Sequence, residues 1–332
     1  MKVALLGVGR IGPLHAATLS KLPAVDEVLI ADIVTQRAQA VAADVGARAM
    51  ASVESALDEA DAVVIATPTG SHLDLIRAAI SRRLPTFCEK PLAQDLDRSI
   101  EVRREVEVSG IAFQLGFQRR FDPAYVEARR LIVEDELGAI YMLDMQSHDP
   151  APASEEFIAG SGGMFRDLSI HDLDVLRYLT GSEVAEVFAQ GSVREFPVYG
   201  KYDDVETAVA TLRMDDGVLV LLGAARHDPS GHDVRTEIFG SRDSISVGLG
   251  PRTPIRSVEP GVPPPAGPAW EIFLDRWDIA YRDEMAAFVR MAANGSPSPC
   301  TADDGVEALR IAEALTLAVR DHRIVALTEI AT

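Results

Sequence analysis

MKVALLGVGRIGPLHAATLSKLPAVDEVLIAD, residues 1–32, contains in order an apolar strand, a GxGxxG turn, a helix, a second strand and an acid. Gly7 permits the tight turn after the strand, Gly9 lets the backbone approach a pyrophosphate, and Gly12 lets the helix pack closely on the strand. The helix N-terminus offers N–H groups to phosphates, and Asp32 would accept hydrogen bonds from ribose hydroxyls. This order predicts a dinucleotide site, and the alternative is a glycine turn without a ligand.

Length and composition indicate a soluble protein of two domains. The chain has 332 residues, 47% hydrophobic and 25% charged, and is too long for one core of ordinary size. No apolar run approaches the roughly 18 residues of a membrane span, and the early first strand leaves no room for a signal peptide. The formal net charge of −19 argues against nucleic acid or an anionic membrane as a partner. Solubility is the preferred explanation of the acidity.

The cysteine content is low. Cys88 and Cys300 are the two cysteines of the chain, so neither a disulfide framework nor a cysteine-based zinc site is expected. The spacing of the other residues indicates no metal site. We therefore expect a metal-free protein of the reducing cytoplasm.

Strand-like and helix-like segments alternate from residue 1 to about residue 118. The predicted strands are 2–6, 27–31, 61–66, 84–88 and 111–116, and the predicted helices lie near 11–21, 35–44, 70–82 and 94–109. Such alternation is typical of a doubly wound parallel sheet. Ligands bind such sheets at the carboxyl ends of the strands. The residues expected to line a cofactor there are Arg10, Ile11, Arg37, Thr67, Pro68, His72, Glu89 and Lys90, with a structural role as the alternative for Glu89 and a structural or peripheral role for His15 and His72.

After about residue 120 the pattern changes. Helices are predicted at 122–133, 167–179, 271–293 and 303–322, and strands at 139–147, 184–195, 205–213, 217–226, 234–240 and 244–249. Asp215-Asp216-Gly217 predicts a hairpin turn, and the proline-rich segment 251–269 predicts an irregular loop. We therefore predict an α/β protein. Residues 1–120 would form a Rossmann domain with a doubly wound parallel sheet, and residues 121–332 an α+β domain with a mostly antiparallel sheet.

Residues 161–174, SGGMFRDLSIHDLD, are the sharpest local signal after the glycine turn. On the predicted helix 167–179, Asp167 and His171 are four residues apart and project from one face. A carboxylate beside an imidazole suits proton transfer near neutral pH. The equal alternative is that Asp167 is an N-cap and His171 a structural histidine.

Lys90 follows the predicted strand 84–88, at the edge where a nicotinamide ring is expected. An ammonium group there would polarise a substrate oxygen and stabilise a developing alkoxide. The alternative is a surface lysine at a strand end. Pro91 makes the preceding peptide bond a candidate for the cis form, although most X–Pro bonds are trans. Arg120 and His148 are candidate substrate contacts, with a solvated arginine and an ordinary loop histidine as the alternatives.

Together these residues resemble the Gfo/Idh/MocA family of nicotinamide-dependent sugar and cyclitol oxidoreductases. The resemblance covers the whole chain and rests on segments 7–12, 66–68, 89–91, 116–125 and 162–174, together with Asp32. The segments GFQRRFD (116–122) and DLSIHD (167–172) look most like the inositol 2-dehydrogenase branch.

The resemblance implies a catalytic set of Lys90, Asp167 and His171, which would also contact the substrate. In such enzymes the histidine removes the hydroxyl proton as hydride leaves for C4 of the nicotinamide, the lysine lowers the hydroxyl pKa, and the aspartate orients lysine or substrate. The family further implies NAD as cofactor, a polyol or sugar as substrate, and an open face of the C-terminal sheet that builds dimers and tetramers. Asp32 favours NAD because its charge would repel a 2′-phosphate, whereas Arg37 leaves NADP as the lesser alternative.

One segment departs from the inositol dehydrogenases. They commonly carry an aromatic residue, a tyrosine, near a Gly-Tyr-Asp segment that reaches the substrate, where residues 226–233 here read RHDPSGHD. A histidine such as His232, or nothing, would stand in for that tyrosine. The substrate is therefore expected to be myo-inositol, with scyllo-inositol, an aldose or a levoglucosan-like anhydrosugar as alternatives. A non-catalytic NAD-binding sensor is the remote alternative.

Overall fold

The chain divides into two compact units. The computed structural model describes residues 1–331. The first unit comprises Met1–Phe121 and Asp278–Glu307, and the second comprises Asp122–Trp277 and the chain from Ala308 onward.

The first unit contains a six-stranded sheet with helices between its strands. The strands are β1 (Lys2–Leu6), β2 (Glu27–Ala31), β3 (Arg48–Ala49), β4 (Ala62–Ile65), β5 (Thr86–Glu89) and β6 (Phe113–Gly116). The helices are α1 (Gly12–Leu19), α2 (Thr35–Val45), α3 (Val53–Glu59), α4 (His72–Ser81) and α5 (Leu96–Ser109). The strand order is β3-β2-β1-β4-β5-β6, and every neighbouring pair is parallel. The predicted doubly wound parallel sheet is confirmed.

The apolar runs of this unit became its central strands because both of their faces are covered. Every residue of β4 is buried. Two elements, β3 and α3, were absent from the prediction. Strand β3 has two residues, too few for a periodic signal, and α3 depends on a capping box between Ser52 and Ser55 that precedes a single apolar turn.

Residues 278–307 belong to the first unit, whereas the sequence pattern assigned them to the second domain. Met285, Phe288 and Val289 pack in the same core as Val64 and Phe87 of the parallel sheet. An amphipathic helix shows one apolar face in its sequence but not the surface that this face will cover, so the pattern could not reveal the assignment.

The second unit contains a seven-stranded sheet. Its strands are β7 (Ile140–His148), β8 (Val184–Ser192), β9 (Thr207–Met214), β10 (Leu219–Ala225), β11 (Asp233–Gly240), β12 (Ser244–Val247) and β13 (Val325–Ala326). Their order is β12-β11-β7-β10-β9-β8-β13. Strands β7 and β10 pair in parallel, and the other neighbouring pairs among the described strands are antiparallel. The predicted mostly antiparallel sheet is confirmed.

Further helices complete the chain: α6 (Pro123–Val133), α7 (Glu155–Ser161), α8 (Met164–Asp167), α9 (Ile170–Thr180), α10 (Val198–Lys201), α11 (Phe273–Asn294) and α12 (Ala302–Asp321). The predicted hairpin joins β9 to β10, with Gly217 at a φ of +93°. The proline-rich loop 251–269 contains neither helix nor strand. Among residues 1–331, no helix has the length and apolar character that crossing a membrane requires.

Candidate active site

The glycine-rich turn joins β1 to α1 at the carboxyl edge of the parallel sheet. Gly7 has a φ of +92°, and a Cβ atom there would lie 2.8 Å from the oxygen of Ala66. A Cβ on Gly12 would lie 2.3 Å from the oxygen of Gly7, so α1 packs directly on the turn. Among residues 1–331, nothing beyond the chain neighbours of Gly9 lies within 4 Å of a Cβ built there. Ile11, the half-buried N-cap of α1, lies in the same turn. The geometry fits a pyrophosphate.

Asp32 follows β2 with its carboxylate held in one orientation. Oδ2 accepts the Val8 N–H at 2.8 Å, and Oδ1 accepts the Val34 N–H at 2.7 Å. An ionised carboxylate has about four acceptor positions, so two bonds leave capacity for ribose hydroxyls. Arg10 and Arg37 are exposed, as cofactor contacts would require. The turn and the acid therefore suit a dinucleotide on grounds of shape and hydrogen bonding.

His72 joins the loop after β4 to the loop after β5. Its Nε2 lies 2.9 Å from the carbonyl oxygen of Thr67, and its Nδ1 lies 2.9 Å from that of Pro91. The ring is 1% exposed. Burial lowers the pKa of His72, against the opposing effect of the two carbonyl contacts. Because both ring nitrogens face backbone oxygens, His72 supports the loops on which Thr67 and Pro68 lie. The predicted direct contact with a cofactor gains no support from this position.

Lys90 lies directly after β5, is half-buried, and forms a cis peptide bond with Pro91. The preceding Glu89 places its Oε1 2.7 Å from Nε2 of His15, a fully buried residue of α1. Thus one buried histidine holds the residue before Lys90, and His72 holds the residue after it. The lysine backbone is fixed from both sides. The sequence indicated that both histidines are near the cofactor loops but not which groups they meet.

The segment that carries Asp167 and His171 is two helices, so the prediction of one continuous helix from residue 167 is wrong. Asp167 is the last residue of α8, and His171 is the second residue of α9. Between them, the Ser169 N–H donates to the carbonyl of Met164, five residues back, and the next helix begins from Ser169. The N-cap of α9 is Ser169, so the alternative role of Asp167 as an N-cap is wrong as well.

Asp167 pairs with a buried arginine that the motif search missed. Nη1 of Arg226 donates to Oδ2 of Asp167 at 2.8 Å, and the Arg226 side chain is 2% exposed. Asp149 lies 3.8 Å from the same nitrogen, and Asp204 lies 4.0 Å from Nη2. Burial alone would lower the pKa of Arg226, but the attraction of Asp167, followed by Asp149 and Asp204, raises it. The sequence signal that could have revealed Arg226 is its position as a charged residue at the end of the apolar strand β10.

Asp204 ties this cluster to the start of α8. Its Oδ1 accepts the N–H groups of Met164 and Val205, each at 2.8 Å. The preceding residue, Gly163, has a φ of +94°, which brings the chain close to Asp204. The helix that ends in Asp167 is therefore capped by a carboxylate that also faces Arg226.

His171 begins α9, and a neighbouring residue ties that helix to the sheet. The buried Asp172 accepts a hydrogen bond from Ser147 Oγ of β7 at 2.8 Å. His171 itself is half-buried. This contact fixes the position of the α9 backbone relative to β7 within the second unit.

His148 ends β7 beside the segment that departs from the inositol dehydrogenases. Its Nδ1 lies 3.1 Å from Oδ2 of Asp228. Burial raises the pKa of Asp228, but hydrogen bonds from Ser230 and His148 outweigh it, so the pKa is lowered. One atom each of His148, Asp228 and Asp233 lie within 4.8 Å of one another. Asp233 is already paired with Arg235 Nε at 2.9 Å.

His232, the candidate substitute for the usual tyrosine, is 4% exposed, and its Nδ1 lies 3.9 Å from Asp149 Oδ1. A backbone hydrogen bond fixes the chain at this position, since the His232 N–H donates to the Trp270 carbonyl at 2.7 Å. The structure thus places His148 and His232 in the same part of the second unit as Asp149 and Arg226.

Arg120 occupies a position that differs from the predicted substrate contact. Its Nη2 lies 2.9 Å from Oδ1 of Asp304, and its Nη1 donates to the Pro299 carbonyl at 3.1 Å. The side chain is 8% exposed. Because the guanidinium is buried in an ion pair within the first unit, its contacts support a structural role. The sequence could not show this, since Asp304 is far away along the chain.

Two family models match most of the chain. Residues 1–117 match the Gfo/Idh/MocA oxidoreductase family, described as an NAD-binding Rossmann fold, and residues 125–246 match the Gfo/Idh/MocA C-terminal domain.

The similarity to individual relatives covers nearly the whole chain. A myo-inositol dehydrogenase of Streptomyces leeuwenhoekii is 35% identical over 319 residues, covering 94% of this chain and 95% of the relative. The crystal structure of a myo-inositol dehydrogenase from Corynebacterium glutamicum has a TM-score of 0.91 at 35% identity, with 98% of each chain covered. The scyllo-inositol dehydrogenase of Lactobacillus casei, solved with bound NAD(H) and scyllo-inositol, has a TM-score of 0.89 at 30% identity, with 99% of each chain covered.

Proposed function

Because the chain belongs to the Gfo/Idh/MocA oxidoreductase family and carries its NAD-binding Rossmann domain, we propose that it oxidises a ring secondary alcohol of an inositol to the ketone with NAD⁺. The preferred substrate in this proposal is myo-inositol, which gives 2-keto-inositol. The observation that carries it is the nearly full-length similarity to inositol dehydrogenases in a chain that has Lys90, Asp167 and His171 at the family's catalytic motifs.

The reaction removes a proton from the hydroxyl oxygen and a hydride from the carbon that bears it. When bound, NAD⁺ supplies the nicotinamide carbon that accepts the hydride. In the proposal His171 takes the hydroxyl proton, and the Lys90 ammonium stabilises negative charge that develops on the oxygen. Asp167 orients the reacting groups. One alcohol and one NAD⁺ yield one ketone, one NADH and one proton, which His171 passes to solvent.

The residues of the first unit support NAD rather than NADP. The Asp32 carboxylate lies where it would accept ribose hydroxyls and would repel a 2′-phosphate. The open space at Gly9 accommodates the pyrophosphate. The exposed Arg37 is the feature that supports the lesser alternative, NADP.

A second substrate class has its own support in the 226–233 segment. His148 pairs with Asp228, and His232 is buried nearby; in the proposal these polar groups take the place of the tyrosine that the resemblance to the inositol dehydrogenases implies. A polyol or sugar with another arrangement of hydroxyls would suit these groups, so scyllo-inositol, an aldose and a levoglucosan-like anhydrosugar are the alternatives.

The proposal includes a homo-oligomer, a dimer or tetramer, in the cytoplasm. Val209, Leu219 and Leu221 on one face of β9 and β10 are 59%, 53% and 40% exposed. An apolar sheet face of this kind is stabilised by contact with another surface, which supports self-association. Cys88 and Cys300 are both buried and form no disulfide with each other, which is compatible with a reducing compartment.

The first experiment measures NAD⁺ reduction by the nicotinamide absorbance with myo-inositol, scyllo-inositol, glucose and levoglucosan, with NADP⁺ in parallel. NAD⁺-linked turnover of an inositol is the expected result. Turnover of a sugar without turnover of an inositol would replace the substrate class. NADH binding without turnover of any compound would reject the enzyme in favour of a sensor.

Variants test the catalytic set. Lys90→Ala and His171→Ala should each lower turnover by about 10²-fold or more, the scale of a lost proton-transfer or charge-stabilising group. Lys21→Ala and His322→Ala change residues that are exposed and should match the wild type. Turnover within a few-fold of the wild type in a normally folded Lys90 or His171 variant would remove that residue from the mechanism.

A further inference from the structure

Arg226 is a nearly completely buried charge that the proposed reaction does not itself use. It follows β10, and its guanidinium meets three carboxylates, those of Asp167, Asp149 and Asp204. Burying a guanidinium costs free energy unless it is paired and hydrogen-bonded. Its direct bond is to Asp167 at 2.8 Å, the range of charge-assisted hydrogen bonds.

Backbone hydrogen bonds fix the chain at the members of this cluster. The Arg226 N–H donates to the Glu206 carbonyl at 2.8 Å, and the Asp149 N–H donates to the Ala225 carbonyl at 2.9 Å. Asp204 caps the start of α8 through the Met164 N–H. The backbone that carries the guanidinium is therefore fixed by β10 and its neighbours through bonds that do not involve Asp167.

We propose that Arg226 is a positioning residue that holds Asp167 as an oriented anion, so that His171 and not Asp167 accepts the substrate proton. This inference rests on the proposed function. A carboxylate that accepts a hydrogen bond from a buried guanidinium is a weak base, because protonation would remove the negative charge that bonds directly to that guanidinium. In this proposal the helices α8 and α9 carry different groups: α8 ends in the fixed anion Asp167, and α9 carries the proton acceptor His171 as its second residue.

The alternative, a purely structural ion pair, predicts different kinetics. Loss of a structural pair lowers stability without changing the pH dependence of the remaining activity. Loss of a positioning residue lowers kcat. It also shifts the pH profile of the activity, because Asp167 would then take up a proton more readily and no longer act as an anion.

The test compares Arg226→Met and Arg226→Lys with the wild-type enzyme in the NAD⁺-linked assay. For Arg226→Met we expect kcat/KM to fall by about 10²-fold, the effect of a misplaced reacting group, mostly through kcat. The acid limb of the kcat/KM profile should move to higher pH. Arg226→Lys restores a positive charge and should return the acid limb toward its wild-type position with part of the rate. The NADH dissociation constant should stay within about twofold in both.

Arg276→Met is the matched control. Arg276 forms an ion pair with Asp122 at 3.0 Å in the same unit and is 13% exposed. Its loss also breaks a largely buried pair, but it should leave the shape of the pH profile unchanged. A shift of the Arg226→Met profile no larger than that of Arg276→Met, or a wild-type kcat in Arg226→Met, would overturn the proposal.

If Arg226→Met folds poorly, a double-mutant cycle of thermal stability tests the proposal. Asp167→Asn combined with Arg226→Met removes both charges, so its loss of thermal midpoint should be smaller than the sum of the single losses. Strict additivity would show that the two residues are not coupled and would reject the inference. If the wild type turns over none of the compounds, the proposed function fails, while this cycle still reports on the pair.

Discussion

Asp304 shows how strongly one buried partner changes a single residue. Burial raises the pKa of its carboxyl, but the charge of Arg120 and hydrogen bonds from Thr301 outweigh burial and lower the pKa to about 2. A carboxyl with a lowered pKa in the folded state stabilises the fold wherever the unfolded chain would also be ionised. The Arg120–Asp304 pair therefore contributes stability at neutral pH that acid removes.

Asp304→Asn should lower the free energy of unfolding by about 2 kcal/mol at pH 7, the value that follows from a pKa lowered from 3.8 to about 2. The difference from wild type should be constant above about pH 5. It should narrow below about pH 5 and be lost as the pH falls through about 2, where the folded carboxyl is protonated. Urea unfolding at several pH values measures it.

Asp303→Asn is the control for that measurement. Asp303 is 60% exposed and pairs with Arg103 at 3.1 Å, and exposed pairs contribute about 0–1 kcal/mol. A loss in Asp304→Asn no larger than that in Asp303→Asn would contradict the importance of the buried pair.

At the scale of residues, the sequence identified chemistry but not partners. Lys90, Asp167 and His171 stand in local motifs that a one-dimensional pattern can contain. The partners of Asp167 and Arg120 lie far away along the chain. Pairs separated by so many residues produce no periodic pattern in the sequence. The Arg226 pair and the groups that His15 and His72 contact beside Lys90 were therefore missed.

At the scale of elements, periodicity predicted the long helices and strands within a few residues. Helix α11 was predicted at 271–293 and lies at Phe273–Asn294. The failure between α8 and α9 has a physical cause. Residues 164–180 keep a helical pattern of apolar residues, yet one hydrogen bond there spans five residues and divides the helix. Hydrophobic periodicity indicates which face of a helix is apolar, but it does not indicate which backbone hydrogen bonds form.

The glycines of the β1–α1 turn allow a paired prediction. Gly9→Ala should fold like the wild type because its Cβ meets open space, yet it should weaken NADH binding at least about tenfold by occupying the approach of the pyrophosphate. Gly12→Ala should lower stability by about 1–3 kcal/mol or more, since its Cβ would overlap the Gly7 carbonyl.

NADH fluorescence titration and thermal unfolding separate these two effects. The control is Gly110→Ala, at the end of α5, where a positive φ of 66° predicts a stability loss without a binding defect. Wild-type NADH affinity in Gly9→Ala would mean that the turn does not hold the cofactor.

At the scale of the whole molecule, the order of segments along the chain differs from their grouping into compact units. A boundary near residue 120 follows from the end of the strand–helix alternation, and the contacts place a division between Phe121 and Asp122. The return of 278–307 to the first unit depends on which core Met285, Phe288 and Val289 fill. That choice is set by the shape of an assembled sheet and its helices, which no local window of sequence contains.

The return segment gives the last prediction. Phe288 is fully buried, and its ring centroid lies 5.8 Å from that of Phe87 on β5. Phe288→Ala should destabilise the first unit by about 3–5 kcal/mol through lost burial and a cavity. Ile279→Ala, on the same helix but 58% exposed, should cost less than about 0.5 kcal/mol.

Tryptophan fluorescence would not follow this unit, because Trp270 and Trp277 both lie in the second. Hydrogen exchange of peptides from β1 and β5 reports on it directly, since local opening exposes their amides. Phe288→Ala should speed exchange in both strands although it lies far from them in sequence, and Ile279→Ala should not. Unchanged protection of β1 and β5 in Phe288→Ala would mean that the packing of Phe288 does not stabilise these strands.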